Sequence, residues 1–437
     1  MEILMRFAEL LAGAALALGA NASAQTLPPP SATDPVQLGI MVGSPAPPNA
    51  RVTRSNILQY PNARWAFRNM RALYPTHNVE APSFQSELPV DRSSLEGLSF
   101  TNAAGATLTF DSWRDATYTD ALIVLRNGRI VYEYYAPGMS ARQPHALWSM
   151  SKSVVGILAQ IEISSGRLDP AAKVGVLVPE LASTAWSQVS VQQLLDMQSG
   201  VDYRENFADR RSDLYRYLFS TGLIDVPASL NVSTTLSDYL PTVRPGTGGG
   251  SSFAYRSVDS EVLGWVLART TGQQISALVS DRLWRPLGTE SDGYYLIDPA
   301  GMDIASVGMN ATLRDMARLG VALANDGRIG RRRVFPSGLT AQLREGVDRA
   351  IFAASASAAA RPGYGYRNQW WIPNDVDGVI EAKGLFGQHL YVNPAQQVVI
   401  VKFSSHPVGD TGFTHASDRP AFSAIAAHIS PRADMAR

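Results

Sequence analysis

The 437-residue chain contains no cysteine, which excludes disulfides, thiolate metal sites and a cysteine nucleophile together. Lysine is almost as scarce: Lys152, Lys173, Lys383 and Lys402 are the only four, and arginine supplies the rest of the cationic charge. Neither sign of charge is in excess, 38 basic residues balancing 38 acidic ones. The basic footprint of a nucleic-acid binder is therefore missing. Past the N-terminus no apolar run is long enough to suggest a membrane span. There is no H-E-x-x-H and no His/Asp/Glu cluster at metal-ligand spacing. A G-x-S-x-G turn is absent too, which argues against an α/β-hydrolase. The glycines at 246 and 248–250 are not followed by G-K-[ST], so they do not form a phosphate-binding loop.

What is present begins with a leader-like segment. Arg6, an apolar stretch from Leu10 to Ala20 and Ala22-Ser23-Ala24 make residues 1–24 read as a secretory signal cleaved after Ala24. That reading predicts a periplasmic or secreted protein. The absence of cysteine fits an oxidising or a reducing compartment equally and does not bear on it. Residues 25–115 read as a Pro/Ser/Ala-rich linker followed by an irregular arm with scattered aromatics such as Tyr60, Trp65, Phe67 and Tyr74. Two β-rich runs, Ala121–Leu125 and Ile130–Tyr135, flank Asn127-Gly128, a strong hairpin signal. Helical periodicity is clearest from Ser149 towards Gly166, over Val189–Met197 and Ser257–Thr271, and over 310–325. Strands return at Tyr366–Ile372, Val379–Lys383, Gln388–Val392 and Val398–Phe403, and Arg419–Ile429 reads as a closing helix. Strands near both ends, with helices between them, predict one antiparallel sheet built from both ends of a 116–437 domain. A helical lobe over about 167–300 is inserted in it.

Chemistry concentrates at Ser149-Met150-Ser151-Lys152, an S-x-x-K opening the most apolar helical run beyond the leader. One helical turn separates Ser149 from Lys152, so both side chains share a face. The following Val154, Val155, Ile157, Leu158 and Ile161 make an environment in which an ammonium is costly. A lysine there can lose its proton and accept one from a serine hydroxyl, which an arginine cannot do. Tyr255 stands immediately before the Ser257 helix, on a glycine-bearing loop. Gly384 and Gly387, in the Glu381–His389 segment, would allow close backbone approach of a ligand on a strand. A backbone N–H there, at Leu385, and that of Ser149 could form the two halves of an oxyanion hole.

In order and spacing these elements resemble the serine β-lactamase-like hydrolases, in the branch of class C β-lactamases, D-aminopeptidases and esterases. Ser149–Lys152 is similar to that superfamily's S-x-S-K, and Tyr255-Arg256-Ser257 to its Y-x-N with serine for asparagine. Leu194–Gly200 is similar to its L-L-x-H-T-S-G segment. The resemblance spans roughly 116–430 and is greatest to the 6-aminohexanoate-dimer hydrolase group. It implies a mixed α/β fold, an acyl-enzyme on Ser149, Lys152 as base, Tyr255 as proton carrier, no cofactor and no metal. Phe207, Ser257, Gly384, Gln388 and His389 are expected in the pocket wall around a small ester or amide. His145 is expected behind the site rather than in it.

Two departures bear on substrate. Ala382-Lys383-Gly384 stands where β-lactamases carry lysine-threonine-glycine, and Phe207 stands where the dimer hydrolases carry a tyrosine. A carboxylesterase of the same fold, or a non-catalytic penicillin-binding or sensor relative, are the competing expectations.

Overall fold

Asn127 and Gly128, with φ of 49° and 71°, reverse the chain between β1 (Thr119–Arg126) and β2 (Arg129–Tyr135). Two left-handed residues in a two-residue turn match the twist of antiparallel strands, and Gly128 supplies one of them without steric cost. The computed structural model describes residues 27–206, 209, 211–247 and 250–430. The leader-like segment 1–24 and Phe207 lie outside the described residues. Five further strands come from the other end of the chain: β3 (Gly365–Arg367), β4 (Trp370–Ile372), β5 (Ile380–Gly384), β6 (Gln388–Asn393) and β7 (Val398–Ser404). They join the first hairpin in one antiparallel sheet of order β3-β4-β5-β6-β7-β1-β2. The seam between the two halves of the chain is β7 on β1, with Ile400 opposite Val124 and Val401 opposite Ile123.

Period-two alternation divides the sheet into two buried faces. Leu122, Val124 and Ile400 pack against Trp113 of α1 (Phe110–Ala116) and against Phe422 and Ile425 of the C-terminal α5 (Thr411–Ile429). Ile123, Leu125 and Val401 face a larger core with Leu158 of α2 (Met150–Ser164), Val262 of α3 (Ser257–Thr271) and Leu319 of α4 (Leu313–Ala324). The inserted segment is mostly helical. It also contains a short ladder of Val201–Asp202 with Arg244–Pro245, and a strand, Gly293–Leu296, that pairs with Thr76–Val79 and Met309–Ala311. The arm before β1 is thus tied to the body by a strand, and its Phe67 and Tyr74 are buried in the larger core. Among the described residues no helix is long and apolar enough to cross a membrane.

Two elements differ from their expected form. Tyr366–Ile372 is a hairpin rather than one strand, because Asn368 and Gln369 take φ of 51° and 68°. The lobe holds them there: Asn368 N–H donates to Asp196 at 3.0 Å and Gln369 N–H to the Leu195 carbonyl at 2.8 Å. The closing helix begins at Thr411, eight residues before Arg419, capped by Asp410 accepting from Gly412 N–H at 2.7 Å. Pro420, a residue suited to a first helical turn, sits inside this helix instead.

Candidate functional site

Trp148, immediately before the serine, has φ of 48°. A bulky side chain in the left-handed region costs about 1–3 kcal/mol and is kept only where the surroundings enforce it. The turn delivers Ser149 to the N-cap of α2, yet its hydroxyl makes no capping bond. Serine is among the best N-caps, so a free cap hydroxyl marks a side chain committed elsewhere. Its Oγ accepts a hydrogen bond from Lys152 Nζ at 3.0 Å. The neighbouring serines are engaged in structure. Ser151 donates to the Trp148 carbonyl (2.7 Å) and accepts from Met309 N–H (3.0 Å), and Ser153 donates to the Gln369 carbonyl (2.7 Å).

Lys152 is 1% exposed, and its other hydrogen bond is to the Ser306 carbonyl at 3.2 Å. Burial lowers its pKa to about 8, against the opposing pull of Glu205 and Glu261. The Ser306 turn is itself pinned by Glu261, which accepts from the N–H groups of Ala305 and Ser306 at 2.8 and 3.0 Å and from the Tyr217 hydroxyl at 2.8 Å. Tyr255 completes the cluster. Its ring centroid is 5.2 Å from Lys152 Nζ and its hydroxyl bonds Ser149. Burial first, and then the Glu205 carboxylate, push its pKa up and keep it protonated. The three residues expected to act together therefore lie together.

A cavity of about 530 Å³ opens over them. Ser149, Tyr255 and Ser257 line it, as do Leu385, Lys383 and Trp371. Ser257, the first residue of α3, donates its N–H to Glu205 at 2.7 Å, placing a carboxylate at a helix N-terminus, where the dipole favours it. The close approach at Gly384 is made by the chain itself: a Cβ there would run into the Leu147 carbonyl. Gly384 thus lets β5 pass against the turn that carries Ser149, and the next residue, Leu385, lines the same cavity as the nucleophile.

Gln388 and His389 are not in the cavity wall, which corrects the expectation for both. Gln388 bridges β6 to β7, donating to the Ser404 carbonyl at 2.5 Å and accepting from Ser404 N–H at 3.0 Å. His389 faces α5, edge-on to Phe422 with 4.7 Å between centroids, and burial lowers its pKa to about 4. Gly384 is likewise outside the lining and acts through its backbone. His145 is fully buried, 3.2 Å from Asp120 and stacked on Phe403. The cavity also draws on residues the sequence pattern did not assign, Glu205, Trp371, Arg361 and Asp410. Of these, Glu205 lies two residues before Phe207 and Trp371 within the expected strand Tyr366–Ile372, while Arg361 and Asp410 lie in stretches without a sequence signal. Among the described residues no group of three or more His, Asp or Glu side chains is placed to hold a metal ion.

Residues 113–422 match the Beta-lactamase family. The 6-aminohexanoate-dimer hydrolase of Paenarthrobacter ureafaciens is 34% identical over 357 residues, 81% of this chain and 88% of that protein. The solved structure of a Bacillus anthracis protein provisionally described as a 6-aminohexanoate-dimer hydrolase superposes with a TM-score of 0.80 at 29% identity. It covers 89% of this chain and 100% of its own. A family VIII carboxylesterase shares the fold at a TM-score of 0.52 and 15% identity, over 72% of this chain and 97% of that one.

Proposed function

The chain belongs to the Beta-lactamase family and is a hydrolase related to 6-aminohexanoate-dimer hydrolase, and from that premise we propose that it cleaves an ester or amide by transferring the acyl group to Ser149. The observation that carries this reading is the 3.0 Å contact between Lys152 Nζ and Ser149 Oγ, at a lysine whose pKa burial brings to about 8. Neutral Lys152 takes the Ser149 proton as Oγ bonds to the substrate carbonyl carbon. The N–H groups of Ser149 and Leu385 receive the oxyanion, each such donor contributing about 3 kcal/mol in comparable sites. Collapse of the tetrahedral intermediate breaks the bond to the leaving group, and Tyr255 supplies the proton that this group needs. Water then attacks the acyl-enzyme, losing its proton to the same base system, and Ser149 Oγ is released protonated.

Between ester and amide, one residue and the chemistry of the leaving group favour the ester. Phe207 cannot donate the hydrogen bond that a tyrosine would offer a substrate amide, and a site without such a bond loses rate on the group it would have recognised. An alkoxide also leaves more readily than an amine and depends less on a positioned acid. Purified protein assayed with p-nitrophenyl butyrate, 6-aminohexanoate dimer and nitrocefin is expected to cleave the ester fastest and the β-lactam slowly or not at all. Faster cleavage of the dimer than of the ester would refute the ester preference. Covalent labelling by a fluorophosphonate without turnover of any substrate would instead indicate a sensor.

The pattern of residues 1–24 supports export as part of the same proposal. N-terminal sequencing of protein recovered from the periplasm or medium is expected to begin at Gln25. A cytoplasmic protein retaining Met1 or Met5 would exclude it.

A further inference from the structure

Glu261 lies on α3 behind the nucleophile, 2% exposed, and every partner it has belongs to one small, dry cluster. One carboxylate oxygen accepts from Ala305 N–H at 2.8 Å; the other accepts from Ser306 N–H at 3.0 Å and from the Tyr217 hydroxyl at 2.8 Å. A main-chain N–H only donates, so both oxygens are held as acceptors. The Tyr217 hydroxyl, from the helix Asp213–Ser220, gives its proton to Glu261 and has its oxygen left for the Ser306 hydroxyl 2.7 Å away. Tyr217 and Ser306 are themselves fully buried. Ser306 is thus tied to the carboxylate through its N–H directly and through its side chain by way of Tyr217. Its one other polar group is its carbonyl, and that carbonyl accepts from Lys152 Nζ at 3.2 Å.

The chain of contacts matters because a neutral amine is not symmetric. It has two N–H bonds and one lone pair, and Lys152 acts as a base only when the lone pair faces the Ser149 hydroxyl. Among the described residues Lys152 Nζ has two hydrogen-bond partners, Ser149 Oγ and the Ser306 carbonyl. The carbonyl takes one N–H and so restricts rotation about the last C–N bond, favouring the setting that turns the lone pair to Ser149. Once Lys152 has taken the proton it is an ammonium, and the Glu261 charge across the turn favours that form.

We propose that Glu261 is a positioning residue for the reaction: with Tyr217 it holds the Ser306 carbonyl where it orients the Lys152 amine, and its charge steadies the ammonium that forms. The proposal rests on the acyl-transfer reading of Ser149 and Lys152. A nucleophile, a base and a third group that orients the base make up an activated hydroxyl, and here the third group works across a main-chain turn without touching the base. Few other titratable groups surround the pair. Glu205 also acts on the Lys152 charge, but it is bonded to Ser257 N–H instead of the Ser306 turn, and the Tyr255 ring faces the amine. Tyr217 and Tyr295 lie around Glu261, and burial keeps both phenols protonated.

Two substitutions separate the charge of Glu261 from its reach. Glu261→Gln keeps the length and removes the charge; Glu261→Asp keeps the charge but is one methylene too short to hold both N–H groups. With p-nitrophenyl butyrate and full-length protein, each should lose kcat on the order of 10²-fold, the scale of a displaced catalytic group, while KM changes by about twofold or less. Glu261 raises the Lys152 pKa, so the acidic limb of kcat/KM should move to lower pH in Glu261→Gln and stay in place in Glu261→Asp. Tyr217→Phe keeps ring and charge, and should lower kcat by about fivefold, the scale of one hydrogen bond, with the limb unmoved. Wild-type kcat in a folded Glu261→Gln would overturn the proposal, as would a lower kcat with the limb in place, the mark of a merely structural role. If neither Glu261 variant folds, Tyr217→Phe decides, and an unchanged kcat or a change in KM alone would overturn it. Fluorophosphonate labelling of the wild type tests the underlying reading separately. A labelled Ser149 with unaltered kinetics in the Glu261 variants would defeat the positioning role alone. No label, or turnover that persists in Ser149→Ala, would defeat acyl transfer on Ser149 and the positioning role with it.

Discussion

Ser149→Ala will abolish turnover, with a loss in kcat on the order of 10⁶-fold as for nucleophiles that act within a unit, and will leave the protein folded. The hydroxyl caps nothing and Lys152 keeps its bond to the Ser306 carbonyl, so its removal should cost no more than the about 0.5–1.5 kcal/mol of an ordinary hydrogen bond. Ser151→Ala is the informative contrast. Its Oγ is buried and bonded to both Trp148 O and Met309 N, so that variant should lose about 1–3 kcal/mol of stability while remaining labelled by a fluorophosphonate. Intact-mass measurement after labelling, followed by peptide mapping, separates the two effects. An adduct on Ser151 or Ser153 would reassign the nucleophile, whatever the activities.

The parts of this protein legible in its sequence are those fixed by short-range rules. Asn127-Gly128 between two apolar alternating runs specifies a hairpin, and the strands from 380 to 404 and the helix at 257–271 follow their periodicity. Ser149 and Lys152 could be paired because one helical turn has one geometry, and Tyr255 because it stands just before a helix. Elements set by distant contacts were not legible. Asn368 and Gln369 turn left-handed under the hold of Asp196 and Leu195, which nothing in Tyr366–Ile372 announces. Gln388 and His389 sit on a strand buried on both faces. Such a strand has no polar alternation to say which face meets a cavity. Arg361 comes from a loop without periodicity, so its place in the wall is decided by the packing of Trp371 and Thr411 around it. The functional reading was open in the sequence where the chemistry is local, and closed where the cavity is assembled from separate elements.

Lys152→Arg is expected to be nearly as inactive as Lys152→Met, each losing about 10²–10⁴-fold in kcat, the usual contribution of a general base. Arginine keeps the positive charge but cannot give up its proton, while methionine keeps the apolar stem and removes the amine. If charge alone oriented Ser149, the arginine variant would retain activity within about tenfold of wild type, and the proton-transfer role would be lost. The pH profile supplies a second, independent reading. Lys152 must be neutral to act, so kcat/KM should rise with pH through about 8. Glu205 and Glu261 favour the ammonium and hold its pKa up against burial. Glu205→Gln removes one of these charges while leaving an oxygen to accept from Ser257 N–H, so the acidic limb should move to lower pH. Asp259, buried on α3 and brought to about 7 by burial, is the group most able to mimic this limb. An Asp259→Asn profile that shifts while the Glu205→Gln profile does not would assign the titration to Asp259. The opposite result, a limb that stays in place when the Asp259 carboxyl is removed and moves in Glu205→Gln, ties it to Lys152: the Glu205 charge acts on Asp259 and Tyr255 as well as on that amine, and the unchanged Asp259→Asn profile leaves Asp259 out.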